Sequence, residues 1–434
     1  MANTIGEKIK EIRKELNLTQ SELAGNEMTK SMLSQIENNQ ASPSMKNLLY
    51  IASRLNRPIS YFLDENPQGI VNPLPIDEIN SVIRRANDTF NRMDISGALE
   101  IIEDLLQKYN FDKKDKLYGE ILSIKSKCLV HLKRFDEGEK DLQEAFDLFL
   151  NNHLYIEAAK THTLFTEKHF QSFDYEKCLK IIAKSEEIYN CSTKKDTVFE
   201  IDLIFEKIVI HTSMGNVAKG LKLMERAINI AKETNIYYKT DRIYRAAGML
   251  YLYDNKFEKF LHCAEKATLF AKFADDKQSL GMIAYQRAIY ENEMNNPKAA
   301  LEHLKFHEEN VHKLTFMYYI EMAKSYYLLN EYEKSLENLN MVDYSFYASH
   351  RLDYFEMWSG KIYEGLVLHK LGKSSEGIEC INYGIQKIEV FKNSKELAFA
   401  YKSLSDIYSD TCNFQDAFIA LKKADEIKSS LNKE

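Results

Sequence analysis

The sequence predicts an all-α chain: a small five-helix bundle followed by a long right-handed solenoid of helix pairs. Three observations carry that expectation. Only 6 Pro and 15 Gly occur in 434 residues, well below the roughly 5% and 7% of average proteins, which leaves too few turn residues for a β-sandwich or propeller. Pro67, Pro73 and Pro75, half of all the prolines, crowd with Gly69 into one short stretch that reads as an extended linker over 67–76. Beyond the linker, self-similarity returns about every 40 residues, the mark of a repeat array. The expected division is therefore 1–66, a compact helical unit; 67–76, the linker; and 77–434, the array.

In the first unit, Ile5, Ile9, Ile12, Leu16 and Leu18 recur at helical spacing and give an amphipathic first helix. Thr19 caps a short second helix, Gln20–Ala24, with Glu22 three residues on as its capping-box partner, and Gly25-Asn26 ends it. Thr29 caps a third, Lys30–Glu37, with Met32, Leu33 and Ile36 placed on its inner face. Asn38-Asn39 breaks that helix, Ser42-Pro43-Ser44 starts a fourth over Met45–Leu55, and Pro58-Ile59-Ser60 starts a fifth that ends near Leu63. Two short helices joined by a tight turn inside a five-helix bundle are what a helix-turn-helix DNA reader requires.

Three segments in register resemble the lambda-repressor/Cro-like (XRE-type) family: Leu18-Thr19-Gln20-Ser21-Glu22-Leu23-Ala24, Leu33-Ser34-Gln35-Ile36-Glu37-Asn38 and Ser42-Pro43-Ser44. The resemblance implies that the third helix lies in the major groove. Thr29, Lys30, Ser31 and Ser34 then face base edges or flanking phosphates, and Gln20 bonds a phosphate while bracing the recognition helix. Gln35 reaches either, and Asn39 and Gln40 approach the DNA backbone. Met1 to Asn66 holds 8 basic and 8 acidic side chains, so one copy should bind weakly. Two copies on one palindrome-like duplex multiply affinity through effective concentration, and the remainder of the chain is expected to form a homodimer.

The array is read from nine turn residues: Ile95, Phe135, Tyr175, Val217, Phe257, Pro297, Tyr332, Ser374 and Phe414. Nine residues before each stand Ala86, Ser126, Thr166, Ile208, Gly248, Ala288, Ala323, Gly365 and Ser405. Three after each stand Ala98, Gly138, Cys178, Gly220, Phe260, Ala300, Ser335, Gly377 and Ala417. Both sets are small except Ile208 and Phe260. Seven after each comes an apolar set: Ile102, Leu142, Ile182, Met224, Ala264, Leu304, Leu339, Ile381 and Leu421. Small residues at matching points let two antiparallel helices approach closely, and the larger ones bury against the next pair. This small–turn–small spacing resembles the tetratricopeptide (TPR) repeat, which implies a superhelix with a concave face lined mainly by first helices.

The register puts Asp202, Glu206, Arg242, Arg245, Tyr285, Gln286, Asn292, Glu321 and Tyr327 on that face. Two readings of the charged four stand side by side. They hold the amino and carboxylate ends of a short peptide, with Gln286 and Asn292 bonding its amides. Alternatively, Asp202–Arg242 and Glu206–Arg245 pair with each other as a solvated ladder.

Composition bounds the chemistry. A formal charge of −7 excludes nucleic-acid binding by bulk charge alone. Six Cys without a C-x-x-C pair read as reduced thiols in a cytoplasmic protein, and no apolar run is long enough to span a bilayer. His307 and His312 are five residues apart, where a zinc-protease motif needs four. No phosphate-binding glycine loop or nucleophile elbow occurs, so neither an enzyme, a metal nor a cofactor is expected.

An XRE-type reader followed by a long TPR-like array resembles the RRNPP family of Firmicute quorum-sensing regulators, its neutral-protease-regulator branch most. The resemblance implies a cytoplasmic transcription factor whose repeats bind a short re-imported peptide and so alter the spacing of two DNA readers. Two alternatives stand beside it: a scaffold that grips a partner such as a response regulator, and a mobile-element repressor whose array only dimerises.

Overall fold

The computed structural model describes residues 4–16, 18–25, 27–55, 57, 59–63, 75–345, 348–392 and 394–431. It divides into two compact units, Met1–Asp77 and Glu78–Glu434. Of the expected linker, 67–74 lies outside the described residues, as do Asn26 and Pro58; Ile76 already opens a helix.

The first unit holds α1 (Ile5–Glu15), α2 (Gln20–Ala24), α3 (Lys30–Glu37), α4 (Met45–Arg54) and α5 (Ile59–Leu63). Thr19 and Glu22 form the reciprocal capping box of α2, and a second box, Thr4 with Glu7, opens α1. Thr29 and Ser44 each accept from the third backbone N–H of the helix they start. Ile9, Ile12, Leu23, Leu33, Ile36, Leu48, Ile51 and Phe62 make the core. Leu16 and Met32 do not join it, being 49% and 39% exposed. Leu16 is the residue that caps α1 rather than one of its turns. Met32 sits about 100° around the helix from Leu33 and turns its sulfur toward Asn47 instead. Helices α1 and α3 cross so closely at Gly6 that a Cβ there would strike the Ile36 carbonyl oxygen.

The rest of the chain is helix pairs, nine among the described residues. The first four are α6 (Ile76–Asn91) with α7 (Ile95–Lys108); α8 (Lys116–His131) with α9 (Phe135–Asn151); α10 (Tyr155–Thr163) and α11 (Thr166–Gln171) with α12 (Tyr175–Asn190); and α13 (Thr197–Ser213) with α14 (Val217–Thr234). Then come α15 (Thr240–Tyr253) with α16 (Phe257–Phe273), α17 (Lys277–Glu293) with α18 (Pro297–Asn310), and α19 (Phe316–Leu328) with α20 (Tyr332–Asn340). The last two are α21 (Arg351–Lys370) with α22 (Ser374–Ile388), and α23 (Lys395–Asp410) with α24 (Phe414–Leu431).

Each of the nine turn residues is the first residue of a second helix. Two positions before each, the backbone is left-handed: Met93, Lys133, Phe173, Gly215, Asn255, Asn295, Asn330, Gly372 and Cys412, with φ between 56° and 82°. One residue in that conformation reverses the chain between antiparallel helices. The small positions then meet across the pair. Ser335 Oγ donates to the Ala323 carbonyl at 2.7 Å, Cys178 Sγ to that of Thr166 at 3.4 Å, and Gly365 and Gly377 leave no room for a Cβ on either. One of the two exceptions is compensated directly: the large Phe260 faces Gly248, so the summed volume is kept. Ile102, Leu142, Ile182, Met224, Ala264, Leu304, Leu339 and Ile381 are at most 2% exposed, whereas Leu421, with no following pair among the described residues, is 38% exposed.

The array also touches itself across long sequence distances. Tyr175 Oη donates to the Ser349 carbonyl at 2.9 Å, and Thr212 Oγ1 lies 3.2 Å from His350 Nε2. Phe173 packs edge-on against Tyr354 and Phe391 at 5.4 and 5.0 Å. Lys395 Nζ bonds the Tyr253 carbonyl. The turns of the third to fifth pairs thus clasp the starts of the first helices in the eighth and ninth.

Candidate functional site

The candidate residues fall into two groups, one in each unit. In the first, α3 presents Thr29, Lys30, Ser31 and Gln35 to solvent, with Ser34 half-buried between them and Asn39 and Gln40 exposed just beyond. Its inner face carries Leu33, Ile36 and Glu37. Glu37 is the keystone. Its carboxylate accepts from Arg13 Nε at 2.6 Å and Nη2 at 2.8 Å, and from Gln20 Nε2 at 2.8 Å. Arg13 Nη1 donates onward to the Leu18 carbonyl at 2.8 Å. Burial opposes the Glu37 charge, yet the bonds from Arg13 and Gln20 hold its carboxyl below the ordinary range. One bidentate pair therefore fixes α3 against α1 and the start of α2. Arg13 and Glu37 escape a sequence reading because each looks like an ordinary charged position on an amphipathic helix; Gln20 is where the motif puts the brace.

In the second unit the first helices α15, α17, α19, α21 and α23 each pack against the next. Asp202 on α13 is ion-paired with Lys239 at 2.6 Å rather than with Arg242, and Arg242 is exposed. The Asp202–Arg242 and Glu206–Arg245 ladder is thus not formed: Lys239, just ahead of α15, reaches Asp202 first. Arg245 is half-buried and its guanidinium is pushed down to about 10 by burial and by Arg242, with Asp241 and Asp276 opposing. The residues of α17 and α19 are more deeply engaged than their register suggests. Tyr285, 4% exposed, belongs to the core between α17, α18 and α19. Gln286, also buried, donates to the Arg245 carbonyl at 3.2 Å. Asn292 Nδ2 donates to Glu321 Oε2 at 2.9 Å and its Oδ1 accepts from Ser325 at 3.0 Å, so both ends of the amide are spent. Tyr327 is half-buried against the rings of Tyr332 and Tyr363.

Glu321, 0% exposed, belongs to a network that extends beyond the expected residues. Lys324 Nζ sits 2.6 Å from Glu321 Oε1 and 2.9 Å from Glu356 Oε1, under the ring of Tyr363. Burial works against the Lys324 charge, and the two carboxylates outweigh it, raising its ammonium well above the usual value. Burial lifts Glu356 to about 7 against the pull of Lys324, with Glu321 adding its like charge. His307 is buried with Nδ1 on the Gly281 carbonyl at 2.9 Å, a packing role. Among the described residues no cluster of three or more His, Cys, Asp or Glu side chains is placed to hold a metal ion, and no helix is long and apolar enough to cross a membrane.

Residues 9–62 match the helix-turn-helix family. No curated protein matches the chain. Among solved structures, a Rap protein complexed with competence and sporulation factor is 12% identical, with a TM-score of 0.54 over 83% of this chain and 99% of that one. The aspartyl phosphate phosphatase F of Bacillus subtilis is 16% identical, with a TM-score of 0.50 over 83% and 96%. The apo quorum sensor NprR of B. thuringiensis, 12% identical, scores 0.42 over 81% and 99%. The first two likenesses show the fold. The chain carries a helix-turn-helix domain over residues 9–62, followed by a TPR-like helical solenoid with the fold of the Rap protein and the phosphatase.

Proposed function

We propose that the chain is a cytoplasmic transcription regulator that grips a palindrome-like operator as a homodimer and is controlled by a short signalling peptide bound along the first helices of its repeats. The observation that carries the reading is the exposed edge of α3, pinned from behind by Arg13, Glu37 and Gln20. Lys30, Ser31, Ser34 and Gln35 read base edges; Thr29, Gln20, Asn39 and Gln40 bond phosphates. On the peptide side, Asp202, Glu206, Arg242, Arg245 and Tyr327 meet the ligand, while Tyr285, Gln286, Asn292 and Glu321 shape the wall behind it. The peptide acts only insofar as it binds one curvature of the array better than another.

Fluorescence anisotropy on duplexes from upstream of the chain's own gene tests this. Sequence-selective binding should weaken by orders of magnitude between about 50 and 200 mM salt, and Gln35→Ala should flatten the selectivity. Equal affinity for every duplex sinks the reading. The likeness to the Rap fold favours a second one, in which the array grips a partner protein such as a response regulator. Peptide-competed capture of such a regulator, with no operator found, decides for it.

A further inference from the structure

Among the described residues, the third pair is where a first helix is broken in two. α10 ends at Thr163 and α11 begins at Thr166; between them the Leu164 and Phe165 N–H groups bond three residues back, to the Thr161 and His162 carbonyls. Beside the break lies a cavity of about 240 Å³, walled by Lys127 and His131 of α8, Thr163 and Thr166, Glu167, and Glu206 of α13.

The polar atoms around it are nearly all acceptors. The Thr163 and Thr166 hydroxyls spend their protons on the Lys160 and Thr163 carbonyls, both at 2.7 Å, which leaves oxygen lone pairs free. His131 Nδ1 lies 2.9 Å from the Lys127 carbonyl, so in the neutral ring Nε2 is an acceptor as well. Glu167 accepts one bond from Gln171. Glu206 has no hydrogen-bond or ion-pair partner among the described residues. Burial pushes its carboxyl above the ordinary range, Lys239 and Lys127 opposing and Glu167 and Asp202 adding. Of the two ammonium groups nearby, Lys239 is taken by Asp202, and Lys127, itself on the cavity wall, sits over the Phe90 ring at 4.0 Å with burial opposing its charge. The lining thus offers acceptors that a group with several N–H donors can satisfy.

We propose that this cavity is a primary-ammonium site. An R–NH₃⁺ group, from a peptide N-terminus or a lysine side chain, pairs with Glu206 and Glu167 and donates its third N–H to a threonine oxygen. Its regulatory meaning rests on the peptide reading above; its binding chemistry does not. The full chain is titrated by calorimetry with three probes: trialanine amide with a free amine, the same peptide N-acetylated, and N-acetyl-Ala-Lys-Ala amide. The free-amine or the lysine probe binds, identifying the source, and the acetylated trialanine does not. Glu206→Gln weakens the binding probe at least tenfold with an unchanged melting temperature, and Glu206→Asp restores part of it. Binding of the acetylated trialanine, binding of none of the three, or full competition by potassium chloride at matched ionic strength overturns the site. Operator anisotropy on the same preparations keeps failure of the pocket distinct from failure of the regulator reading.

Discussion

Replacing Glu37 by Gln tests how α3 is held. The carboxylate has no exposed surface and Arg13 only 11% on their side chains, and three N–H donors converge on the two oxygens. An amide offers one acceptor and turns an NH₂ toward a donor. At least one guanidinium N–H and the whole Arg13 charge are then left uncompensated in a site that water barely reaches. Removing one partner of a buried pair costs about 3–5 kcal/mol. A unit of this size, roughly 60 residues, has on the order of 3–9 kcal/mol in all. The helix-turn-helix unit of the variant should therefore be mostly unfolded near body temperature, while the repeat unit, with its separate cores, keeps its own transition. Calorimetry reads both. The double variant Arg13→Met/Glu37→Leu should regain most of the loss, because apolar residues of similar volume replace buried ion pairs at little cost. The pH dependence follows from the depressed Glu37 carboxyl: its contribution is present above the ordinary 4.5 and is lost as pH falls through the lower folded value. A single variant whose first transition stays within about 1 kcal/mol of the parent's refutes the reasoning, since that is the range of an exposed pair.

Three further outcomes are expected. Gly6→Ala drives a methyl into the Ile36 carbonyl and toward Asn39 Oδ1, and should cost the first unit about 1–3 kcal/mol in urea melts; an unchanged midpoint means α1 and α3 are not in close contact. The folded chain holds the Glu356 proton more tightly than the unfolded one. The stability of the repeat unit should therefore fall as pH rises from 4.5 through about 7, and Glu356→Gln should remove that slope; a slope identical in the variant assigns it elsewhere. Phe173→Ala deletes the ring lodged against Tyr354 and Phe391, and should enlarge the radius of gyration in small-angle scattering; an unaltered profile means that the other clasp contacts suffice.

Most of the helix layout was legible because both signals are local. Caps such as Thr19 and Thr29 act within one turn, and the small–turn–small rhythm repeats the same short-range contact nine times. The same rhythm carries a second local signal: Gly215, Asn255, Asn295, Asn330 and Gly372 all occupy the left-handed position two before a turn residue, and Gly and Asn tolerate that conformation best. What the helix faces turn toward was less legible. Asp202 chose Lys239 over Arg242, and Asn292 was spent on Glu321 and Ser325, because a register names the face of a helix but not which of several long side chains reaches first. Lys324, Glu356, Arg13 and Glu37 were invisible for a related reason. Nothing in a stretch of alternating charges marks the one that a neighbour, 24 or 32 residues away, will bury.

Stacked repeats ordinarily communicate only with the pair above and the pair below, so they can fray from an end one unit at a time. The bonds from Tyr175 to Ser349, Thr212 to His350 and Tyr253 to Lys395 span 174, 138 and 142 residues, and they turn a string into a frame. Its middle pairs and its late pairs must come apart together, and a tilt in the fourth pair reaches the eighth directly, without being diluted through the three that separate them.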